Sequence, residues 1–139
     1  NIVKSNNWGW TNGPLTAGSY EFDIYAGAGQ NNINGLDPVG KLFVVYEGGH
    51  VTVTYELEEG YYLGEVHLHV GKDPLPKIRG KYTNAPGQFP YGDYFGFDPY
   101  DEGTFVGDWT WSSLAAGLPA FTGTIYVAAH AVVYIEVMD

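Results

Sequence analysis

Carboxylates gather in a glycine-rich stretch of the sequence, residues 71–103. Calcium prefers carboxylate oxygens together with backbone carbonyls, and a glycine-rich loop can arrange both around one ion. The spacing differs from that of an EF-hand, and acids in turns are more commonly solvated without any ligand. The sequence therefore predicts a candidate calcium site, with solvated turn acids as the alternative, at Asp93, Asp98, Asp101 and Glu102.

Three side chains that can bind metal alternate along a second stretch, Glu65, His67 and His69. Alternate residues of a strand point to the same side, so neighbours two positions apart can share one ion. The outer two lie about 13 Å apart along an extended strand, so all three reach one ion only across a bulge. One hypothesis is a zinc or copper site completed by His130 or His50; the commoner alternative is polar residues half exposed on a sheet face.

Two tryptophan pairs have the same alternating spacing, Trp8 with Trp10 and Trp109 with Trp111. On an extended segment both members of a pair lie on one face. Exposed indoles of this kind form a flat apolar platform on which a sugar ring stacks, whereas buried indoles belong to the core. The sequence leaves both interpretations open.

Motifs for common enzyme chemistry are missing from the sequence. It contains no Gly-x-Ser-x-Gly nucleophile elbow, no phosphate-binding Gly-x-x-x-x-Gly-Lys and no His-Glu-x-x-His zinc motif. Carboxylate pairs for glycoside hydrolysis are recognised by their separation in space, which spacing in the sequence does not give. We therefore expect a protein without a catalytic site.

The element that organises these side chains is the apolar run at residues 124–137. Every second residue is apolar, which predicts one long strand with one face in a core. At about 3.3 Å per residue the strand is about 46 Å long, beyond the usual strand of about 5 to 6 residues. We expect it either to span a whole sheet or to reach past its own sheet to a neighbouring copy. The outward residues of that contact are predicted to be Tyr126, Ala128, His130, Val132 and Tyr134.

Shorter alternating runs predict further strands, at residues 19–26, 41–46, 50–57 and 63–70. Glu47-Gly48-Gly49, between two of these runs, predicts a hairpin. Helical periodicity is lacking, and Gly and Pro separate the runs. The fold class is therefore all-β: a single antiparallel β-sandwich, jelly-roll-like, over residues 1–139, with long loops rich in Gly, Pro and aromatic residues.

The first 16 residues mix turn formers with a short apolar patch, Ile2 and Val3. They are interpreted as an N-terminal arm, residues 1–16, that ends in a turn at Asn12-Gly13-Pro14. The apolar patch is expected to take part in self-assembly. Because the chain begins at Asn1 rather than Met, signal-peptide removal and an extracellular or cell-surface location are expected.

Net charge limits the partners of this protein. Six Lys and Arg residues against 16 Asp and Glu residues give a formal charge of -10, which repels phosphate backbones and anionic lipids. Nucleic acid is therefore not expected as a partner. Membrane insertion is not expected either, because the sequence has no run of about 18 apolar residues. Cys is absent, so disulfides and thiolate sites are excluded.

Four stretches of the sequence carry a resemblance, GWTNGPL at 9–15, YAGAGQ at 25–30, VHLHVG at 66–71 and YVAAHAVV at 126–133. They resemble a family of uncharacterised secreted microbial β-rich surface proteins. The resemblance implies an extracellular β-rich module. It assigns no activity, cofactor or functional residue to this chain.

Two functions fit these patterns. The first is a secreted structural subunit of an extracellular fibre, tube or surface layer that assembles by β-strand addition between copies. A heterologous contact of this kind does not close on itself, so a homopolymer is expected. The alternative is a calcium-dependent extracellular adhesin or lectin-like module that binds a glycan or peptide through the loops of residues 71–103 and the tryptophan pairs.

Overall fold

The computed structural model describes residues 2–25, 37–95 and 105–136, and the side chains of the N-terminal strand from Gly9 onward. These residues form two four-stranded sheets and one small two-stranded sheet, all antiparallel. Helical structure in the described ranges is limited to one 3₁₀ turn, Pro86–Gln88. The predicted all-β antiparallel sandwich is confirmed.

The strands in chain order are β1 Ile2–Leu15, β2 Gly18–Tyr25, β3 Pro38–Glu47, β4 His50–Leu57, β5 Tyr61–Gly71, β6 Lys77–Ile78, β7 Lys81–Tyr82, β8 Tyr91–Tyr94, β9 Asp108–Ser112 and β10 Ile125–Glu136. The first sheet has the order β1-β10-β5-β8, and the second has the order β2-β3-β4-β9. Strands β6 and β7 form a separate hairpin.

The core lies between the two large sheets, because each contributes one apolar face. On β10 the predicted inward residues from Ile125 to Val133 are buried, which confirms the alternation in the sequence. On β5 the inward residues Val66, Leu68 and Val70 are buried in the same way. The facing sheet contributes alternate residues of β3 and β4, including Leu42 and Val53. Interdigitating inner faces of this kind form the core of β-sandwiches.

The β3–β4 hairpin turns at Gly48 and Gly49, as the sequence predicted. Both residues have positive φ, 59° and 80°, which is the backbone of a two-residue primed turn. Side chains other than glycine rarely adopt this conformation. The turn fixes the register in which Glu47 faces His50 and Gly40 faces Leu57.

Strand β10 is a central strand, and of the two expectations for it the described residues fit the first, a strand that spans its own sheet. It pairs with β1 on one edge and with β5 on the other. Its outward face is also largely covered within the chain. Ala128 and Val132 are buried, whereas Tyr126, His130 and Tyr134 are half-buried. This face is therefore not an open surface for another copy.

The N-terminal segment is an edge strand, and its interpretation as an arm is also corrected. Strand β1 pairs with β10 from Ile2 opposite Glu136 to Leu15 opposite Ile125. The predicted turn at Asn12-Gly13-Pro14 is an irregularity within this pairing, where the register shifts between Asn12 and Leu15. The physical reason is that the backbone of β10 needs a hydrogen-bonding partner along this edge.

Residues 72–90 form a cover segment over the outer face of the first sheet. The segment carries the β6–β7 hairpin and the 3₁₀ turn. Strand β7 begins at Lys81, and β8 follows the cover segment. Leu75, Asn84, Pro86 and Phe89 of this segment lie beside the outer face of β1 and β10.

Replacing Gly40 by alanine tests the close approach of β3 and β4. A Cβ at Gly40 would lie 2.8 Å from the Cα of Leu57 and would clash with the carbonyl of Glu56. We expect Gly40→Ala to lower the free energy of unfolding by about 2 to 3 kcal/mol, because backbone atoms must move. Urea unfolding measures this change. In the control, Gly87→Ala, no atom lies within 4 Å of the new Cβ, so a change within about 0.5 kcal/mol is expected.

Candidate functional site

The outer face of the first sheet carries a row of two histidines between two glycines. The strand registers place Gly9 opposite His130, His130 opposite His67, and His67 opposite Gly92. A Cβ at Gly9 would lie 3.5 Å from Cδ2 of His130, which is an ordinary contact, whereas a Cβ at Gly92 would clash with the carbonyl of Val66. Gly92 is therefore required by the close approach of the β5 backbone.

His67 is buried, with 5% of its surface exposed, so its interpretation as half exposed is wrong. Its Nε2 lies 3.1 Å from Oε1 of Glu65. Its ring centroid is 5.5 Å from that of His130 and 5.3 Å from that of Tyr94, which meets it edge-on. These neighbours fill the space around the imidazole and exclude water from it.

His69 is also buried, because the cover segment begins directly after β5. Its Nε2 donates a hydrogen bond to the carbonyl of Asp73 at 2.7 Å. Burial lowers the pKa of His69, and the carbonyl and carboxylate of Asp73 oppose that shift without cancelling it. A neutral His69 therefore fixes the start of the cover segment to the sheet.

The hypothesis of a transition-metal site at Glu65, His67, His69 and His130 finds no geometric support. Within residues 2–25, 37–95 and 105–136 there is no group of three or more potential ligands that could hold a metal ion. Nε2 of His67 faces a carboxylate and Nε2 of His69 faces a carbonyl. These contacts give both imidazoles structural partners.

Of the four residues predicted to bind calcium, only Asp93 lies among the described residues. Asp93 is exposed on β8, and its Oδ1 accepts a hydrogen bond from the backbone N–H of Tyr94 at 2.9 Å. Asp98, Asp101 and Glu102 lie outside the described residues. Calcium binding at this loop therefore stays a prediction.

The second tryptophan pair belongs to the core, so its interpretation as an exposed platform is wrong. Trp111 is buried and packs on Tyr91 with ring centroids 4.5 Å apart. Trp109 meets Tyr55 edge-on at 5.7 Å. The reason is that alternate residues of β9 face the first sheet across the sandwich. In the other pair, Trp10 is half-buried against the core, and the side chain of Trp8 lies outside the described part.

Tyr55 connects the two sheets beneath the histidine row, a role that no pattern in the sequence indicated. The side chain comes from β4 and is fully buried. Its hydroxyl donates a hydrogen bond to the carbonyl of His67 at 3.0 Å. Burial raises the pKa of the Tyr55 phenol, so the hydroxyl stays protonated and remains a donor.

A groove of about 480 Å³ lies where the cover segment approaches β1 and β10. Strands β1 and β10 contribute small residues, Trp10 and His130, whereas the cover segment contributes apolar side chains and an amide. Among the described residues the lining is Gly9, Trp10, Thr11, Leu75, Asn84, Pro86, Phe89, Ala128, Ala129 and His130. The volume falls in the range of small-molecule sites.

Replacing Tyr55 by phenylalanine tests the connection between the sheets. The variant removes a buried donor and leaves the His67 carbonyl without that hydrogen bond. We expect Tyr55→Phe to lower the free energy of unfolding by about 1 to 2 kcal/mol. Tyr82→Phe is the matched control, because Tyr82 is exposed. A loss of equal size in both variants would contradict the role of Tyr55.

Acidification tests the burial of neutral His69. Because its pKa is lowered in the folded protein, the unfolded chain binds the proton first as the pH falls below about 6.5. Neutral His69 therefore makes its full contribution to the free energy of unfolding above about pH 6.5. This contribution is lost as the pH decreases further. We expect the free energy of unfolding to fall more steeply between about pH 7 and pH 5 in the wild type than in His69→Gln. If the free energies of unfolding of the wild type and of His69→Gln changed with pH in parallel, this contribution of His69 would be ruled out.

Comparison with known proteins assigns no relationship. No family model, no curated protein and no solved structure matches the chain. In the described ranges there is no helix that is long and apolar enough to span a membrane.

Proposed function

We propose that the protein is a structural subunit of an extracellular fibre, tube or surface layer, in which β1 of one copy completes the first sheet of the next. The observation that carries this proposal is the position of β1. It is an edge strand of the first sheet that pairs with β10, and within the described residues its other edge has no strand partner. It is therefore attached to the sandwich as a separable element.

Exchange of β1 conserves the interactions of the sheet. If β1 leaves, β10 has a row of unpaired N–H and C=O groups next to the core, which is costly. An identical β1 from another copy restores the same hydrogen bonds in the same register. Donor and acceptor surfaces are different, so the contact repeats without closing and produces a polymer.

The connection from β1 to β2 supports exchange. Only Thr16 and Ala17 join the last residue of β1 in the first sheet to Gly18, the first residue of β2 in the second. Short hinge loops between packed elements favour domain swapping. The carbonyl of Thr16 accepts a hydrogen bond from the Tyr20 hydroxyl at 2.7 Å, a local contact that β2 keeps in either arrangement.

The sequence of β1 offers little protection against intermolecular pairing. Natural edge strands are commonly protected by charges, especially Lys, or by Pro. Residues 2–15 contain one charged residue, Lys4, and one proline, Pro14, near the end of the strand. Donation of β1 accordingly includes the predicted assembly residues Ile2 and Val3, while β10 acts as the acceptor.

Cysteine cross-linking tests exchange directly, because the natural chain has no Cys. Thr11 and Ala128 are opposite each other on β1 and β10. Two single variants, Thr11→Cys and Ala128→Cys, are assembled together and oxidised. We expect a disulfide-linked heterodimer on non-reducing gels, because β1 of one copy then lies beside β10 of the other.

The matched control uses two strands that the proposal leaves in one chain. Thr54 and Thr110 are opposite each other on β4 and β9, with hydroxyls 3.1 Å apart. Mixed Thr54→Cys and Thr110→Cys are expected to remain monomeric on the same gels. If Thr11→Cys and Ala128→Cys together gave only monomers, while the double variant in one chain formed its internal disulfide, exchange would be excluded.

The groove favours a second candidate function, an extracellular binding module of the adhesin or lectin type. Its volume and mixed lining suit a small ligand. Calcium dependence of such a module rests on Asp93 together with residues outside the described ranges. Electron microscopy with light scattering separates the two functions, since the structural subunit forms ordered polymers and an isolated module stays monomeric.

A further inference from the structure

We infer that the groove beside β1 and β10 binds an uncharged saccharide unit. The first argument is charge. The chain has a formal charge of -10, yet among the described residues no Asp, Glu, Lys or Arg lines the groove. An anionic ligand would be repelled by the rest of the protein and would find no cation in the groove. A cationic ligand would find no carboxylate there.

The lining also selects for a ligand with both apolar and polar surface. One wall is apolar and consists of Leu75, Pro86 and Phe89, all half-buried and all from the cover segment. Groups that can form hydrogen bonds lie around it, the Thr11 hydroxyl, the Asn84 amide and the His130 imidazole. A purely apolar ligand would desolvate these groups without replacing their hydrogen bonds.

A pyranose ring has the complementary chemistry. Its C–H face packs against an aromatic or aliphatic wall, and its equatorial hydroxyls donate and accept hydrogen bonds at the edge. Phe89 supplies the aromatic face, while Thr11 and Asn84 are exposed at the rim. The small residues Gly9 and Ala128 keep the floor of the groove open.

The groove is complete only when β1 is present, because Gly9, Trp10 and Thr11 belong to that strand. This holds whether β1 comes from the same chain or from another copy. If the proposed strand exchange occurs, each site in the polymer is built from two copies, so this consequence rests on the proposed function. Saccharide binding would then occur along the assembly at every junction.

Calorimetric titration of the intact protein with cellobiose, maltose, lactose and N,N′-diacetylchitobiose tests the inference. We expect saturable binding of at least one of these neutral disaccharides, and no tighter binding of digalacturonic acid or of the cationic disaccharide of glucosamine. Phe89→Ala and Asn84→Ala are expected to weaken binding about tenfold or more, because they remove the stacking face and a rim hydrogen bond. Asn84 is exposed, so its variant keeps the test valid if Phe89→Ala loosens the cover segment.

Tyr82→Ala is the matched control. Tyr82 is an exposed aromatic residue of the same cover segment that does not line the groove, so its variant should bind like the wild type. The inference is overturned if no neutral disaccharide binds at millimolar concentration, or if Asn84→Ala and Phe89→Ala bind as tightly as the wild type. Neither result would affect strand exchange, which is read from cross-linked dimers rather than from ligand binding.

Discussion

The structure depends on the pairing of β10 along both of its edges. This strand is buried over most of its length, and buried backbone N–H and C=O groups must find partners. On one side the partner is β5, and on the other side it is the terminal strand β1. Strand β1 is therefore required by the sheet even though, among the described strands, it lies at the edge and pairs on one side only.

The centre of the first sheet is covered on both faces, and this explains the environment of its histidines. On the inner face Tyr55 reaches across the core to the carbonyl of His67. On the outer face the cover segment is fixed by the hydrogen bond from His69 to Asp73. The groove lies at the edge of the cover segment, next to β1 and β10. Structural histidines and the candidate binding site are thus parts of one arrangement.

The sequence predicted those features that depend on local pattern. The alternation at residues 124–137 identified the core face of β10, because the side chains of a strand alternate between its faces. Two consecutive glycines identified the β3–β4 turn, because few other residues accept its backbone conformation. In both cases the information lies within a few positions of the chain.

Features that depend on distant pairing could not be predicted in this way. No local pattern indicates that β1 pairs with β10, so the N-terminal strand resembled an arm. His67 and His69 resembled surface residues because no local pattern indicates that His130 and Tyr94 pack on His67 or that the cover segment buries His69. Trp111 and Trp10 share the same spacing from a second tryptophan, yet one is buried and the other is half-buried beside the groove. The groove combines three segments that are far apart in the sequence.

The pairing of Ile2 with Glu136 joins residues that are far apart in the sequence, and this has a kinetic consequence. Contacts between residues far apart in sequence form late, because the chain entropy of closing a long loop must be overcome first. The β3–β4 hairpin is local and does not wait for such closure. During folding, β10 therefore presents an open edge until β1 arrives. Under the proposed exchange, protein concentration would decide whether that strand belongs to the same molecule or to its neighbour.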